Sequence, residues 1–285
     1  MQQRGWQSVN LVYFGLLLGF LYLPLLLLII FSFNDARSLA FPLSGFTLAW
    51  YDELWQTPEL MQAAWNSIIL GVGSSLVATI LGAMAALALV RYQFVGRKVF
   101  GGVAMMPLVI PSVILGVAML IGFSQLNVPL SLWTVGLGHV ILNIPLVILI
   151  VMARLAGLEA NLEEAAMDLG TTYFGAQLRI TLPLSLPAIV AAFLTSFTTS
   201  FDEFALAFFL IGTEPTLPIY LYSQLRFPAR LPLVVAMAAV IIISSIVLIL
   251  FTEWVRRLGQ PTQERLSRPT QDQLGQQVVT PGGGV

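Results

Sequence analysis

Six long apolar runs, separated by short polar breaks, dominate the chain. A helix rises about 1.5 Å per residue, so a hydrocarbon layer of about 30 Å needs about 20 apolar residues to cross it. Residues 11–33, 64–90, 99–123, 130–153, 183–211 and 231–254 meet that length. They predict an all-α integral membrane protein with six transmembrane helices. Only residues 125–128 separate the third run from the fourth, so these two are expected to lie antiparallel. The first run is too long for a signal-peptide core and no clear small-x-small site follows it, so it is expected to remain as a span. Pro107, Pro111 and Pro145 interrupt the runs and mark expected bends, while Gly71, Gly73, Gly82 and Ala86 suggest close helix packing in the second run.

One polar island, residues 154–182, breaks the lipid-like pattern. Leu158, Leu162, Ala165, Ala166 and Leu169 recur at helical spacing, with Glu159, Glu163 and Asp168 filling much of the remainder. Asn161 with Glu164 three residues later fits a capping box, and Gly170 supplies a helix stop. A second short helix is expected from Thr171 or Thr172 to near Pro183. Helix, glycine break and helix on one side of a membrane make a rigid knob suited to touching a partner. A helix lying on lipid is the competing reading. It is disfavoured because four acids, against Arg154 and Arg179 nearby, would be repelled by anionic headgroups.

Composition agrees with a bilayer protein: 58% of residues are hydrophobic and 9% charged, against about 25% charged in soluble domains. No cysteine is present, which excludes disulfides and thiolate metal sites. His139 is the sole histidine, and no metal is expected. Basic residues are few and dispersed, so nucleic acid is not an expected partner. Their placement is still informative. With the N-terminus in the cytoplasm, ten of the thirteen basic residues fall inside and only Arg37, Arg226 and Arg230 outside, a positive-inside bias that puts the polar island in the cytoplasm. The sole lysine is Lys98 and no phosphate-binding loop is recognisable, so the chain is not expected to be an ATP motor.

Polar residues inside the runs are costly and therefore notable. Asp202-Glu203 in the fifth run is the outstanding pair. Asp202 is expected on a cavity wall, attracting a cationic solute or sensing a gate. Glu203, about 100° away on a helix, is expected to be structural. His139, Asn66 and Asn143 are expected to hydrogen-bond between helices. A serine such as Ser74 paired with His139 would make an intramembrane hydrolase, but no nucleophile motif supports that. Aromatic residues at Phe46, Trp50 and Tyr51 suit an interface in the outer segment 34–62. The outer segment 212–230 is proline-rich, and the polar residues 256–285 are expected to be a disordered cytoplasmic tail.

Glu164-Ala165-Ala166, three residues, Gly170, nine residues and then Ile180-Thr181-Leu182-Pro183 resembles the "EAA" loop of permease subunits of binding-protein-dependent ABC importers, with all seven specified residues at the right spacing. Gly45 to Tyr51, Ser200-Phe201-Asp202-Glu203 and Leu217 to Ser223 look closest to the spermidine/putrescine branch. The chain departs from that branch at Pro111-Ser112, where many relatives carry an acid after the proline, and at Pro228-Ala229-Arg230. The resemblance implies a type I importer permease fold with a cytoplasmic coupling helix. It implies a cytoplasmic N-terminus (1–10), a side helix (11–33) with an external loop (34–62), and a five-helix core (63–255) holding a coupling loop (154–182). The implied ATPase-coupling residues are Glu163, Glu164, Ala165, Ala166, Asp168, Leu169, Gly170, Ile180, Leu182 and Pro183, and the implied substrate path includes Asp202 and Glu203. Implied partners are a cytoplasmic ABC ATPase dimer that binds the ATP and Mg, a second and distinct permease, an extracytoplasmic solute-binding protein, and membrane lipid. The implied solute is a polyamine, with an iron complex, an opine-like amine or a phosphonate as alternatives. The implied location is the cell inner membrane, multi-pass, with both termini cytoplasmic.

Overall fold

Lipid offers no partner to a backbone N–H or C=O, so a chain this apolar must satisfy those groups inside helices. The computed structural model describes residues 2–37, 39–159 and 161–258, and helices make up nearly all of it. In chain order they are α1 (Gln2–Phe31), α2 (Ala49–Gln56), α3 (Pro58–Arg91), α4 (Arg97–Val109), α5 (Ser112–Gln125), α6 (Leu132–Ala156), α7 (Asn161–Asp168), α8 (Tyr173–Ala176), α9 (Leu182–Asp202), α10 (Ala205–Leu210), α11 (Leu217–Gln224) and α12 (Leu231–Leu258). A π-helical turn, Gln177–Thr181, joins α8 to α9, and a 3₁₀ turn, Pro228–Arg230, precedes α12. The expected tail lies almost wholly outside the described residues.

Five stretches are long and apolar enough to cross a membrane: Asn10–Phe31, Pro58–Arg91, Leu132–Ala156, Tyr173–Asp202 and Pro228–Val255. The third expected span, 99–123, is not one straight helix. It is the pair α4 and α5, bent by 106° at the Ile110-Pro111 break. Ile110 sits in extended backbone at ψ 125°, as a residue before proline must when the ring excludes the helical conformation. Pro107 lies within α4 and Pro145 within the unbroken α6, so of the three prolines only Pro111 marks a sharp break. The fifth expected span is also shorter than its apolar run. Helix α9 stops at Asp202, and Ala205–Leu210 form the separate short helix α10.

Helices α3, α6 and α9 form the centre of the bundle, with α12 against α9 and α1 at the side against α12. Outer helix α2 packs on α12, and α5 packs on α10. In lipid there is little hydrophobic drive for helices to associate, so close contact between small residues sets which faces meet. A β-carbon built on Gly82 would lie 2.6 Å from Val147 Cβ and 3.1 Å from the Ile144 carbonyl, so α3 and α6 touch here through bare backbone. Gly71 is similarly tight against the Phe197 ring of α9, at 3.0 Å, and Ala86 is fully buried. Gly73 differs from the expectation: nothing lies within 4 Å of its missing side chain, because it is one position off the packed stripe.

The first outer segment is tied down by its own aromatics. Trp50 Nε1 donates to the Asn34 carbonyl at 2.8 Å, and the Tyr51 and Ser32 hydroxyls are hydrogen-bonded at 2.7 Å. Asn66 in α3 does not bridge two spans; its Nδ2 donates to the Pro215 carbonyl at 3.0 Å, anchoring the loop before α11. Asn143 bonds within its own helix, from Nδ2 to the His139 carbonyl at 2.9 Å. Gly82→Val should lower the thermal midpoint of the purified protein by overpacking the α3–α6 contact, at about 1–3 kcal/mol, while Gly73→Val should leave it unchanged; melting both variants in the same detergent checks this.

Candidate functional site

The polar island folds as α7, a tight glycine turn, α8 and the π turn. Asn161 is the first helical residue, one place inside the expected cap; residue 160 lies outside the described residues. The C-terminal end is fully specified. The Thr171 N–H donates to the Ala166 carbonyl at 3.1 Å and Gly170 N–H to the Met167 carbonyl at 2.9 Å, the paired bonds of a Schellman turn. Gly170 has φ +90°, a left-handed conformation that opposes any side chain. The expected second short helix begins on schedule, with the Thr172 hydroxyl accepting from Gly175 N–H at 3.2 Å. It does not end near Pro183. It passes through the π turn directly into α9, with Pro183 placed just after that turn, where the hydrogen-bond register already changes.

The orientation of α7 inverts what its periodicity suggests. Its buried residue is Glu163, 5% exposed, whereas Leu162 and Ala165 are exposed and Leu169, just past its end, is 88% exposed. Around Glu163 the partners are dense. Thr181 Oγ1 donates to Oε1 at 2.7 Å, Gln177 Nε2 donates to Oε2 at 2.8 Å, and Arg91 Nε stands 2.9 Å from Oε1 as an ion pair. Arg91 also donates from Nη2 to the Leu158 carbonyl at 3.3 Å. Of the other motif residues, Glu164, Asp168, Gly170, Leu182 and Pro183 are exposed, while Ala166 and Ile180 are half-buried. Arg91, Gln177 and Thr181 did not stand out in the sequence. Arg91 carried one signal, a cation ending a span.

At the opposite end of α9, Asp202 is the last helical residue and is exposed, with no partner among the described residues. Glu203 is not on the helix at all; its backbone is extended at ψ 111°, and its Oε1 accepts the Leu206 N–H at 2.9 Å to start α10. Three threonines precede Asp202 at helical spacing. The Thr195, Thr198 and Thr199 hydroxyls donate to the carbonyls four residues back, at 2.8, 3.0 and 3.0 Å. With their protons so used, they offer only acceptor lone pairs outward. They line an open cavity of about 870 Å³ bounded also by Leu149 of α6 and Ile249 and Glu253 of α12. Arg154 at this cavity is engaged, donating to the Leu184 carbonyl at 3.0 and 2.8 Å.

The lone histidine does join helices. His139 Nδ1 and Ser200 Oγ are 2.6 Å apart, Ser200 Oγ and Ser74 Oγ 2.8 Å, and Ser74 donates to the Leu70 carbonyl at 2.7 Å. With the Ser74 hydrogen on the Leu70 carbonyl, the assignment that satisfies every contact has Ser200 donate to Ser74 and His139 Nδ1–H donate to Ser200. A histidine that donates to a serine cannot take that serine's proton through the same nitrogen. The triad α6–α9–α3 is a structural tie, not the nucleophile and base of a hydrolase.

Residues 78–261 match the family described as the binding-protein-dependent transport system inner membrane component. The chain belongs to this family. The permease is similar to the spermidine/putrescine transport system permease protein PotC of Escherichia coli K12, 32% identical over 240 residues that cover 84% of this chain and 90% of that protein. It is also similar to the putrescine transport system permease protein PotI of the same strain, 35% identical over 249 residues, covering 84% and 88%. Among solved structures, a bacterial ABC transporter involved in the import of the acidic polysaccharide alginate shares the fold, with a TM-score of 0.70 at 18% identity over 89% of this chain and 97% of that one. The permease is thus a non-catalytic, multi-pass inner-membrane subunit of a binding-protein-dependent ABC importer with the type I fold. Within it, Ser200→Ala should destabilise the protein by about 1–3 kcal/mol, because His139 Nδ1–H loses its buried acceptor. Thr199→Ala, which removes only a bond to its own helix, should stay within about 0.5 kcal/mol. Chemical denaturation in detergent compares the two.

Proposed function

We propose that this permease forms, with a second and distinct permease, the translocation path for a polyamine of the spermidine/putrescine type. A cytoplasmic pair of ATPases, which bind the ATP and Mg, drives it through the loop 154–182. The observation that carries the coupling role is the outward-turned apolar edge of that loop: Leu162, Leu169 and Phe174 are 45%, 88% and 69% exposed on an element that otherwise buries a carboxylate. Apolar side chains held outward on a rigid turn fit a cleft in another protein better than water. The positive-inside bias puts this loop and both termini in the cytoplasm, with the outer segments 34–62 and 212–230 facing the solute-binding protein. In this division the helix at 11–33 packs at the side and residues 63–255 form the transporting core.

Support for a polyamine comes from PotC and PotI and from the acceptor face of α9. Three threonine oxygens and one carboxylate, spread over the helix turns from Thr195 to Asp202, suit a flexible cation whose every polar group is an N–H donor. Alternating access follows. A loaded binding protein docks outside, the ATPases close on ATP, and the loop turns the core helices to open the path outward; hydrolysis resets it inward.

The test is uptake of labelled spermidine and putrescine into vesicles holding the full complex, with ATP and binding protein on opposite sides. ATP-dependent accumulation is expected. Gly170→Asp should leave the permease in the membrane and abolish uptake, since an aspartate at φ +90° disrupts the loop's turn. Asp202→Asn should lower uptake about tenfold, the equivalent of about 1.4 kcal/mol in the transport barrier, with assembly unaffected. Undiminished uptake by either variant would remove that residue from its role, and stimulated ATPase activity without accumulation would exclude polyamine as the solute.

A further inference from the structure

We propose that Arg91 and Glu163 form a clasp that carries the displacement of the coupling loop into two core helices at once, making Glu163 a positioning residue of transport and not a contact to the ATPase. The inference deepens the coupling reading given above and rests on it. Its basis is where the four groups come from. Glu163 is on α7, Arg91 ends α3, and Gln177 and Thr181 open and close the π turn at the foot of α9. One carboxylate therefore binds the loop helix to the ends of both spans that pack against each other in the centre of the bundle.

Three features separate this from an incidental surface pair. The first is burial: the side chains of Arg91 and Glu163 are 12% and 7% exposed, so salt and water screen the pair little. The second is the π turn. An α-helix places residues four apart about 40° from each other, and the wider π turn brings them closer to one face. Gln177 and Thr181 both reach the two oxygens of the same carboxylate across it. The third is the second hold of Arg91, on the carbonyl of Leu158 in the segment that leads from α6 into the loop. The guanidinium thus meets the carboxylate as an ion pair and donates to a backbone carbonyl, which ties the approach of the loop at two points. By contrast Glu164, the acid of the recognisable motif, faces outward. The two adjacent acids thus divide the work, Glu164 toward the partner and Glu163 toward the permease's own core.

The experiment uses the whole complex in vesicles, with ATP hydrolysis measured with and without loaded binding protein and expressed per assembled complex. The ratio of stimulated to basal hydrolysis reads communication through the permease, independently of which solute is carried. For Glu163→Ala and Arg91→Ala this ratio is expected to fall at least fivefold, toward one. Glu163→Asp, which keeps the charge, and the exchanged pair Arg91→Glu with Glu163→Arg should recover a substantial part of it. Labelled spermidine accumulated per ATP is measured alongside. An unchanged ratio in Glu163→Ala would overturn the clasp, as would a loss that neither rescue variant reverses, since that pattern describes damaged folding. Gly170→Asp is the reference. If it retains the ratio, the loop is not the coupling element and both readings fall; if it loses the ratio while Glu163→Ala keeps it, the clasp alone is wrong.

Discussion

The close approach of α3 and α6 at Gly82 is the constraint on which the remainder of the bundle depends. With the bare backbone of α3 at Gly82 against the Val147 side chain and the Ile144 carbonyl of α6, every other level of the pair is set. Eight residues earlier on each helix, Ser74 and His139 fall at the same depth, and Ser200 of α9 bridges them. Nine residues later α3 ends at Arg91 beside the end of α6, within reach of Leu158. A side chain at position 82 would push the helices apart, and both polar ties would be stretched together. In lipid, where apolar burial contributes little to helix association, such ties and contacts hold a particular register.

Much of this was legible from spacing alone. Apolar run length located the spans, and the seven residues of the loop motif located a helix–turn–helix element with its left-handed glycine. The misreadings share a physical origin. Periodicity shows which residues share a helix face but not what that face meets. In α7 the apolar positions share one edge, yet the residue turned inward is Glu163, made tolerable there by Arg91, Gln177 and Thr181 from distant parts of the chain. Hydropathy also runs on through a bend. The 106° break at Pro111 falls inside apolar sequence, because lipid solvates both arms alike, and α9 ends at the acidic pair Asp202-Glu203 within a run that is apolar on either side. Asn143 was expected to reach a neighbour and instead bonds to its own helix, a choice that side-chain identity does not determine.

A second polar layer lies one helical turn below the Ser74–Ser200–His139 tie. Thr79 Oγ1, Asn143 Oδ1 and Ser196 Oγ are all buried there without a protein partner, one from each central helix. Buried oxygens of this kind are ordinarily satisfied by ordered water. The centre of the bundle is therefore polar at two successive depths and becomes apolar only at the level of Gly82, Val147 and Ala192.

The π turn has one further consequence. Because it joins α8 to α9 without a break, the stretch Tyr173–Asp202 is a single helical rod of 30 residues, and the nearest flexible point on the loop side is Gly170. At about 1.5 Å per residue such a rod is about 45 Å long, so a tilt of about 10° at its foot displaces the far tip by about 8 Å. The tip is Asp202. Under the proposed coupling such a helix is a lever arm, with the Glu163 contacts near its fulcrum and the Asp202 carboxylate at its load, so that a small rotation at one membrane face is multiplied at the other.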